Sequence, residues 1–415
     1  MDRPSQAAAV DALIIGAGMA GLTCAQDLSR AGWSVRVVEA GDRPGGRMRT
    51  DTRDGFVLDR GFQVFNPGYP QTRRRIRTAS LGVRELSPGF ALSGGGVRRR
   101  FAHPARDRHV WRELSAGGLG RAGDLARFGL YSARVGFGGV RGIKSGLDVP
   151  ARLALGRGGC SAGFIDEVLR PFFAGVFLED DLATSSRVLG LVWRSMLRGS
   201  AVLPAQGIGA VARQMAEDLP AGTIAYECTV RTLTDDGAVL ADGTELGARR
   251  VIVATDPSSA RALLPSLPEV EVNAVTTYYH VAPRAPIDEP LLVVDADSIV
   301  LNSLVVSNVQ PNFAPRGYAL ISTSALGTRP IDESKVRARL AELYDTDTAS
   351  WELLAAYPVP QALPRMTPPW PLSRGTVVGP RLQLCGDHRA TGSVQGAMAS
   401  GARAAREALA DEISH

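Results

Sequence analysis

Three glycines at fixed spacing are the first residues in this chain that could do chemistry. Asp11-Ala-Leu-Ile-Ile-Gly-Ala-Gly-Met-Ala-Gly21 passes from a short apolar run into Gly16-x-Gly18-x-x-Gly21. Gly16 permits a tight turn, Gly18 lets the backbone approach a pyrophosphate with no Cβ in the way, and Gly21 allows a helix to pack closely on a strand. A helix opening here offers phosphate its free N–H groups and its positive dipole end, with Ala17, Met19 and Ala20 in the cradle. Glu39 closes the next apolar run and can accept hydrogen bonds from both hydroxyls of a ribose. Strand, glycine turn, helix, strand and acid in that order form a dinucleotide site in its required context.

The glycine turn alone does not separate NAD from FAD. The continuation, Ala40-Gly-Asp-Arg-Pro-Gly45-Gly46-Arg47-Met48-Arg49-Thr50, adds a second close backbone approach and a cation near the phosphates. On these residues the chain resembles the flavin-containing amine oxidoreductase superfamily: amine oxidases, protoporphyrinogen oxidases and phytoene-desaturase-like enzymes. The resemblance implies FAD as cofactor, with Ala40, Gly45, Gly46, Arg47 and Met48 running along it toward the ring. Leu58-Asp-Arg-Gly-Phe-Gln-Val-Phe65 is similar to the family element that lies against the isoalloxazine, which implicates Gly61, Phe62 and Gln63.

The far end of the chain supplies a second match, Gly386-Asp387 followed by Gly392-Ser-Val-Gln-Gly-Ala-Met-Ala-Ser-Gly401. By resemblance, Asp387 lies near the ribityl and pyrophosphate, and Ser393, Val394 and Gln395 sit beside the ring. A helix N-terminus there would stabilise the negative charge of reduced flavin. Between the ends, Leu203-Pro-Ala-Gln-Gly-Ile-Gly209 leads into a helix and Ile224–Val230 reads as a strand. The resemblance gives Val230 a backbone contact with adenine and ends the last strand of the FAD sheet near Ala254. Phe164–Leu178 and Asn308–Tyr318 resemble the phytoene-desaturase-like and protoporphyrinogen-oxidase-like branch more than the amine oxidases.

The elements that must position these residues form an α/β protein. A discontinuous Rossmann-like FAD-binding domain is expected from residues 1–70, 204–270 and 375–415. An inserted α+β substrate domain with a mixed sheet takes up 71–203, read as its helical part, and 271–374, read as its sheet part. In the latter, strands are expected at 272–281, 291–295, 298–306 and 318–324, with a helix near 334–343.

FAD carries the hydride chemistry, and a protein acid or base is not strictly required. His388, as a proton shuttle or charge partner, and Gln395 are the candidate catalytic residues; His103 and His280 have no supporting context. The sequence holds no nucleophile elbow and no metal-ligand spacing. Amine oxidases flank their substrate with two aromatic side chains and place a lysine by the flavin. Here Val377–Cys385 contains no aromatic, Trp370 is the nearest candidate, and the whole chain has two lysines, Lys144 and Lys335. Amine oxidation is therefore disfavoured. The expected activity is a desaturase or oxidase acting on an apolar, isoprenoid-like small molecule. The alternatives are an isomerase that uses reduced FAD and a non-catalytic flavin-binding protein.

Composition limits the partners. With 45% apolar and 21% charged residues the chain is of ordinary globular make-up. Its net charge of +5 is local, because residues 71–160 hold 18 Lys+Arg against 5 Asp+Glu. Without a recognised module this does not indicate nucleic acid. It leaves open a peripheral membrane contact through the Arg-rich insertion. Four widely spaced cysteines argue against a disulfide framework, and a cytoplasmic protein is expected. Oligomeric state is not legible.

Overall fold

The computed structural model describes residues 7–102, 122–329 and 331–413. Two large sheets organise them. At the centre of the first, Ala7–Ile15 runs parallel to Val35–Val38 on one side and Glu245–Val253 on the other. Leu382–Leu384 adds a further parallel strand beside Val253. Three segments far apart in sequence thus share one sheet. Leu13 and Ile14 have no exposed surface, as expected of a parallel strand covered on both faces. Helix Met19–Arg30 covers one face, and the C-terminal helix Val394–Ile413 lies against that helix. A Cβ on Gly401 would come within 2.0 Å of the Ala20 carbonyl oxygen, so only glycine allows this approach.

The second sheet has seven strands in the order Glu352–Pro364, Val272–Ala282, Ala319–Leu326, Asn302–Val305, Leu292–Asp295, Phe90–Gly94, Val97–Phe101. Pairing is antiparallel except between Leu292–Asp295 and Phe90–Gly94. Helix Glu333–Tyr344 packs Val336, Leu340 and Leu343 under its outer face against Tyr278, Val293 and Ile321. The other face meets Phe56, Leu58 and Phe313. Helices Arg170–Phe177 and Ser186–Arg198 bury an aromatic cluster of Phe172, Phe173, Phe177 and Trp193 beside Phe90.

Two sequence expectations need correction, and one strand was not expected. Segment 71–203 is not only helical: it contributes the hairpin Phe90–Gly94/Val97–Phe101 to the sheet. The run Ser93–Gly96 ends strand Phe90–Gly94 and makes the hairpin's turn at Gly95 and Gly96, whose φ of +56° and +75° a tight two-residue hairpin requires. Ile224–Val230 is two strands, because Glu227 at φ +56° turns the chain. Ile224–Ala225 then pairs with Val35–Val38, while Val230–Thr234 pairs with Gly237–Leu240 at the other end of the hydrogen-bonding order. The long strand Glu352–Pro364 gave no sequence signal because Pro358, Pro360 and Pro364 interrupt it. It is an edge strand, paired only with Val272–Ala282, where missing N–H groups are tolerated.

Candidate active site

The first sheet ends its parallel strands side by side. Gly16 N–H donates to Val38 O at 2.8 Å, Ala254 N–H to Ile15 O at 2.8 Å, and Cys385 N–H to Val253 O at 2.9 Å. The glycine turn, Ala254 and Gly386 therefore meet at the carboxyl ends of the strands, where open α/β sheets bind ligands. The three glycines of the turn differ in what surrounds them. A Cβ on Gly21 would lie 2.0 Å from Gly16 O, and one on Gly16 would lie 3.0 Å from Ala254 O. A Cβ on Gly18 would meet nothing within 4 Å. Gly18 is also the N-cap of helix Met19–Arg30 and brings no side-chain cap, so the first-turn amides stay available. An open cradle at a helix N-terminus fits a pyrophosphate. Met19 and Ala20 are buried in the core, so they can contribute only their amides.

Glu39 uses both carboxylate oxygens locally. Oε2 accepts from Ala17 N–H at 2.8 Å and Oε1 from Gly41 N–H at 2.9 Å, which leaves its other lone pairs for ribose. Cys228 N–H donates to Glu39 O at 2.9 Å, which brings the chain leading into Val230 beside this acid. The glycine pair doubles back onto the turn, with Gly45 N–H donating to Ala17 O at 2.9 Å. Gly45 and Gly46 sit at φ +125° and +58°, and a Cβ on Gly46 would stand 3.5 Å from Gly18 Cα. Met48 is buried.

Arg47 ties the two ends of the chain together. Its guanidinium bonds Asp387 Oδ1 at 2.7 Å and Ala362 O at 3.0 Å. Gln63 holds the same segment by donating to Arg47 O at 2.8 Å. Gly61 takes φ +92°, and Phe62 N–H donates to Thr277 Oγ1 at 3.1 Å. Asp59 is buried; it accepts from Thr50 Oγ1 at 2.6 Å and Ile208 N–H at 2.9 Å, and burial pushes its pKa up to about 6. Tyr279 donates to Asp59 O at 2.9 Å. Thr277, Tyr279, Ala362 and Asp59 thus fasten the second sheet to the glycine segments. No local pattern marked Thr277, Tyr279 and Ala362, since each acts on a residue far away in sequence, whereas Asp59 lies in the element quoted from residues 58–65.

Of the two candidate catalytic residues, Gln395 is engaged by a hydrogen bond and His388 is buried. Gln395 Oε1 accepts from Gln71 N–H at 2.9 Å, and Ser393 caps the C-terminal helix by accepting from Gly396 N–H at 3.0 Å. Val394 packs partly into the first core. His388 is 3% exposed behind Gly386, and neither ring nitrogen has a partner among the described residues. Burial pushes its pKa down to about 4, against the pull of Asp387, so it is neutral at physiological pH. His280 is buried on the outer face of the second sheet, 3.3 Å from Glu333; His103 lies outside the described residues. Trp370 is structural: its Nε1 donates to Ala390 O at 2.7 Å and its backbone N–H to Asp148 at 2.8 Å. Lys144 and Lys335 are both exposed.

Among the described residues no group of three or more His, Cys, Asp or Glu could hold a metal, and the four cysteines are free. No helix among them is long and apolar enough to cross a membrane.

Comparison with known proteins agrees with this geometry. Residues 19–409 match the family described as Flavin containing amine oxidoreductase. Chloroplastic protoporphyrinogen oxidase of Nicotiana tabacum is 28% identical over 204 residues, covering 48% of this chain and 34% of that protein. A 4,4'-diapolycopene oxygenase of a Methylomonas species is 45% identical over 52 residues, 12% of this chain and 10% of that protein. The chain thus aligns with about a third or less of these relatives' lengths. In fold it is similar to an oxidoreductase from Methanosarcina mazei, with TM-score 0.70 at 15% identity over 95% of this chain and 100% of that one. The chain belongs to the flavin containing amine oxidoreductase family, a family of FAD-dependent oxidoreductases.

Proposed function

We propose that the protein is a desaturase or oxidase that removes hydride from an apolar, isoprenoid-like small molecule. One observation carries this reading: the wall that leans on Arg47 and Gly61 is apolar. Val359 and Ala362, on the strand that bonds Arg47, pack with Ala174, Val275 and Leu301. A Cβ on Gly61 would lie 3.6 Å from Val359 Cγ2. Leu363 stands 3.1 Å from the Cβ position of Gly392, ahead of the C-terminal helix. Neither lysine of the chain lies on this wall, since both are exposed on helices elsewhere. A charged amine would find no carboxylate among these residues, whereas a hydrocarbon would bury apolar surface against them.

When bound, FAD supplies a hydride acceptor at its N5. The chain's own contribution is placement and solvent exclusion. In this reading Gly18, Gly46 and the first-turn amides of Met19–Arg30 hold the pyrophosphate, and Glu39 holds the ribose. Arg47 and Asp387, paired at 2.7 Å, would lie along the cofactor and hold it as one unit. The N-terminus of helix Val394–Ile413, capped by Ser393, would present its positive dipole end to negative charge on the bound cofactor. Gln395, held by Gln71, and neutral His388 act as positioning residues.

The test is anaerobic flavin bleaching by the purified holoprotein. Apolar polyenes or porphyrinogen-like compounds should bleach the oxidised flavin, and primary amines should not. Bleaching by amines alone would overturn the proposal. Turnover of a substrate only after prior reduction of the flavin would assign the isomerase chemistry in its place.

A further inference from the structure

Helix Ala122–Phe137 is apolar on two faces. Phe128 and Tyr131 face inward, where Phe128 packs on Trp193 and Phe164. On the other side Gly129, Leu130, Ala133 and Phe137 face out, with Leu130 73% and Phe137 92% exposed. A helix on a water-facing surface ordinarily places polar side chains there. The pattern continues along the next two short helices, Val140–Ser145 and Ala151–Arg157, and the turn between them, with Val140 37%, Leu147 74% and Leu153 44% exposed. Five of the eleven exposed large apolar side chains among the described residues fall in this one stretch. Single exposed apolar residues need no explanation, but a concentration of them does.

Charge selects the occupant. Residues 125–160 contain six cations, Arg127, Arg134, Arg141, Lys144, Arg152 and Arg157, and a single carboxylate, Asp148. Asp148 is 7% exposed and bonds Arg187 at 2.8 Å, so it offers little negative charge to the surface. Arg152 pairs with Asp166 at the edge. Apolar tips interleaved with charge of one sign suit a bilayer carrying anionic headgroups: the tips enter the headgroup–acyl boundary and the cations are drawn to the lipid phosphates. A second copy would set like charge against like across a two-fold axis.

We propose that the face built by these three helices docks the protein peripherally on an anionic lipid surface. This holds whichever substrate the protein oxidises, so its failure and that of the proposed activity are separable.

The experiment sediments full-length holoprotein with vesicles of phosphatidylcholine alone or mixed with phosphatidylglycerol. The protein should follow only the mixed vesicles and be released as salt is raised. Leu130→Ser with Phe137→Ser, and separately Arg134→Glu with Arg141→Glu and Lys144→Glu, should each lower the partition coefficient by about tenfold or more, with flavin absorbance unchanged. All five positions are exposed, so the fold is not at stake; Phe137→Ser alone provides a milder check. Failure of the wild-type protein to bind the mixed vesicles overturns the proposal, as does equal binding by both variants. A dimer that Phe137→Ser splits, with no vesicle binding, assigns the face to self-association and also overturns it.

Discussion

The two sheets meet their neighbours by different means. Around the glycine turn, backbone touches backbone: a Cβ would come within 2.0 Å of a carbonyl oxygen at Gly21 and at Gly401, and within 2.3 Å at Gly45. Around the second sheet side chains fill most of the space, with Phe173, Phe177, Leu304 and Leu340 essentially without exposed surface, and close backbone contact is confined to places such as Gly89 against Phe101 O. At those three glycines a single added carbon cannot be accommodated. The second half tolerates exchange of one apolar residue for another, provided volume is kept. Under the proposed function, the main chain around the glycine turn would hold the cofactor, and side chains packed beside the second sheet would meet the substrate.

The largest test of this contrast is Gly21→Ala. The added carbon overlaps Gly16 O, so little folded flavoprotein is expected, as judged by soluble yield and circular dichroism. Phe173→Ala comes next. It empties a fully buried site and should cost about 3–5 kcal/mol in denaturant unfolding. Flavin bound per folded molecule should stay unchanged, and a loss of flavin here would break the division between the halves.

His388→Gln probes the joint between them. Burial lowers the folded-state pKa of His388 from 6.5 to about 4. The stability linked to its neutral form is complete above pH 6.5 and is lost as pH falls toward 4, because the unfolded chain then binds the extra proton. The variant should flatten the acid side of the melting-temperature profile, a difference of up to about 3 kcal/mol near pH 4. Asp59 acts in the opposite sense. Its raised pKa makes its contribution fade as pH rises from 3.8 through about 6.

Arg47→Ala strands the buried Asp387. The arginine side chain is 34% exposed, so water screens the pair and the expected cost is about 2 kcal/mol by thermal melting, with weaker flavin retention. The smallest effect on folding belongs to Gly18→Ala, whose new carbon meets no protein atom within 4 Å. The flavin-free melting temperature should hold while flavin affinity falls about tenfold or more, ~1.4 kcal/mol for each factor of ten. Equal damage to fold and flavin would erase the distinction drawn between Gly18 and Gly21.

Much of the glycine half was legible because backbone contacts of this kind demand one residue type. Gly16, Gly21, Gly45, Gly46 and Gly386 stand where the chain reverses or approaches itself, and each leaves a mark in the sequence. The second half was read through strands at 272–281 and 318–324 and a helix near 334–343, which the structure places at 272–282, 319–326 and 333–344. The hairpin at 90–101 and the strand at 352–364 escaped, one behind a run of glycines and the other behind three prolines. Both lie at ends of the sheet order, where such residues fit.

By itself the sequence determined that strand, turn and helix cradle a dinucleotide, because local backbone geometry follows from local residue type. Only the tertiary structure decided that Arg47 reaches Asp387 and Ala362, that Gln395 is held by Gln71, and that His388 is sealed from solvent. It also decided that the apolar wall beside Gly61 comes from a strand nearly 300 residues downstream. Those contacts depend on burial and distance between remote segments, and no spacing along the chain encodes either quantity.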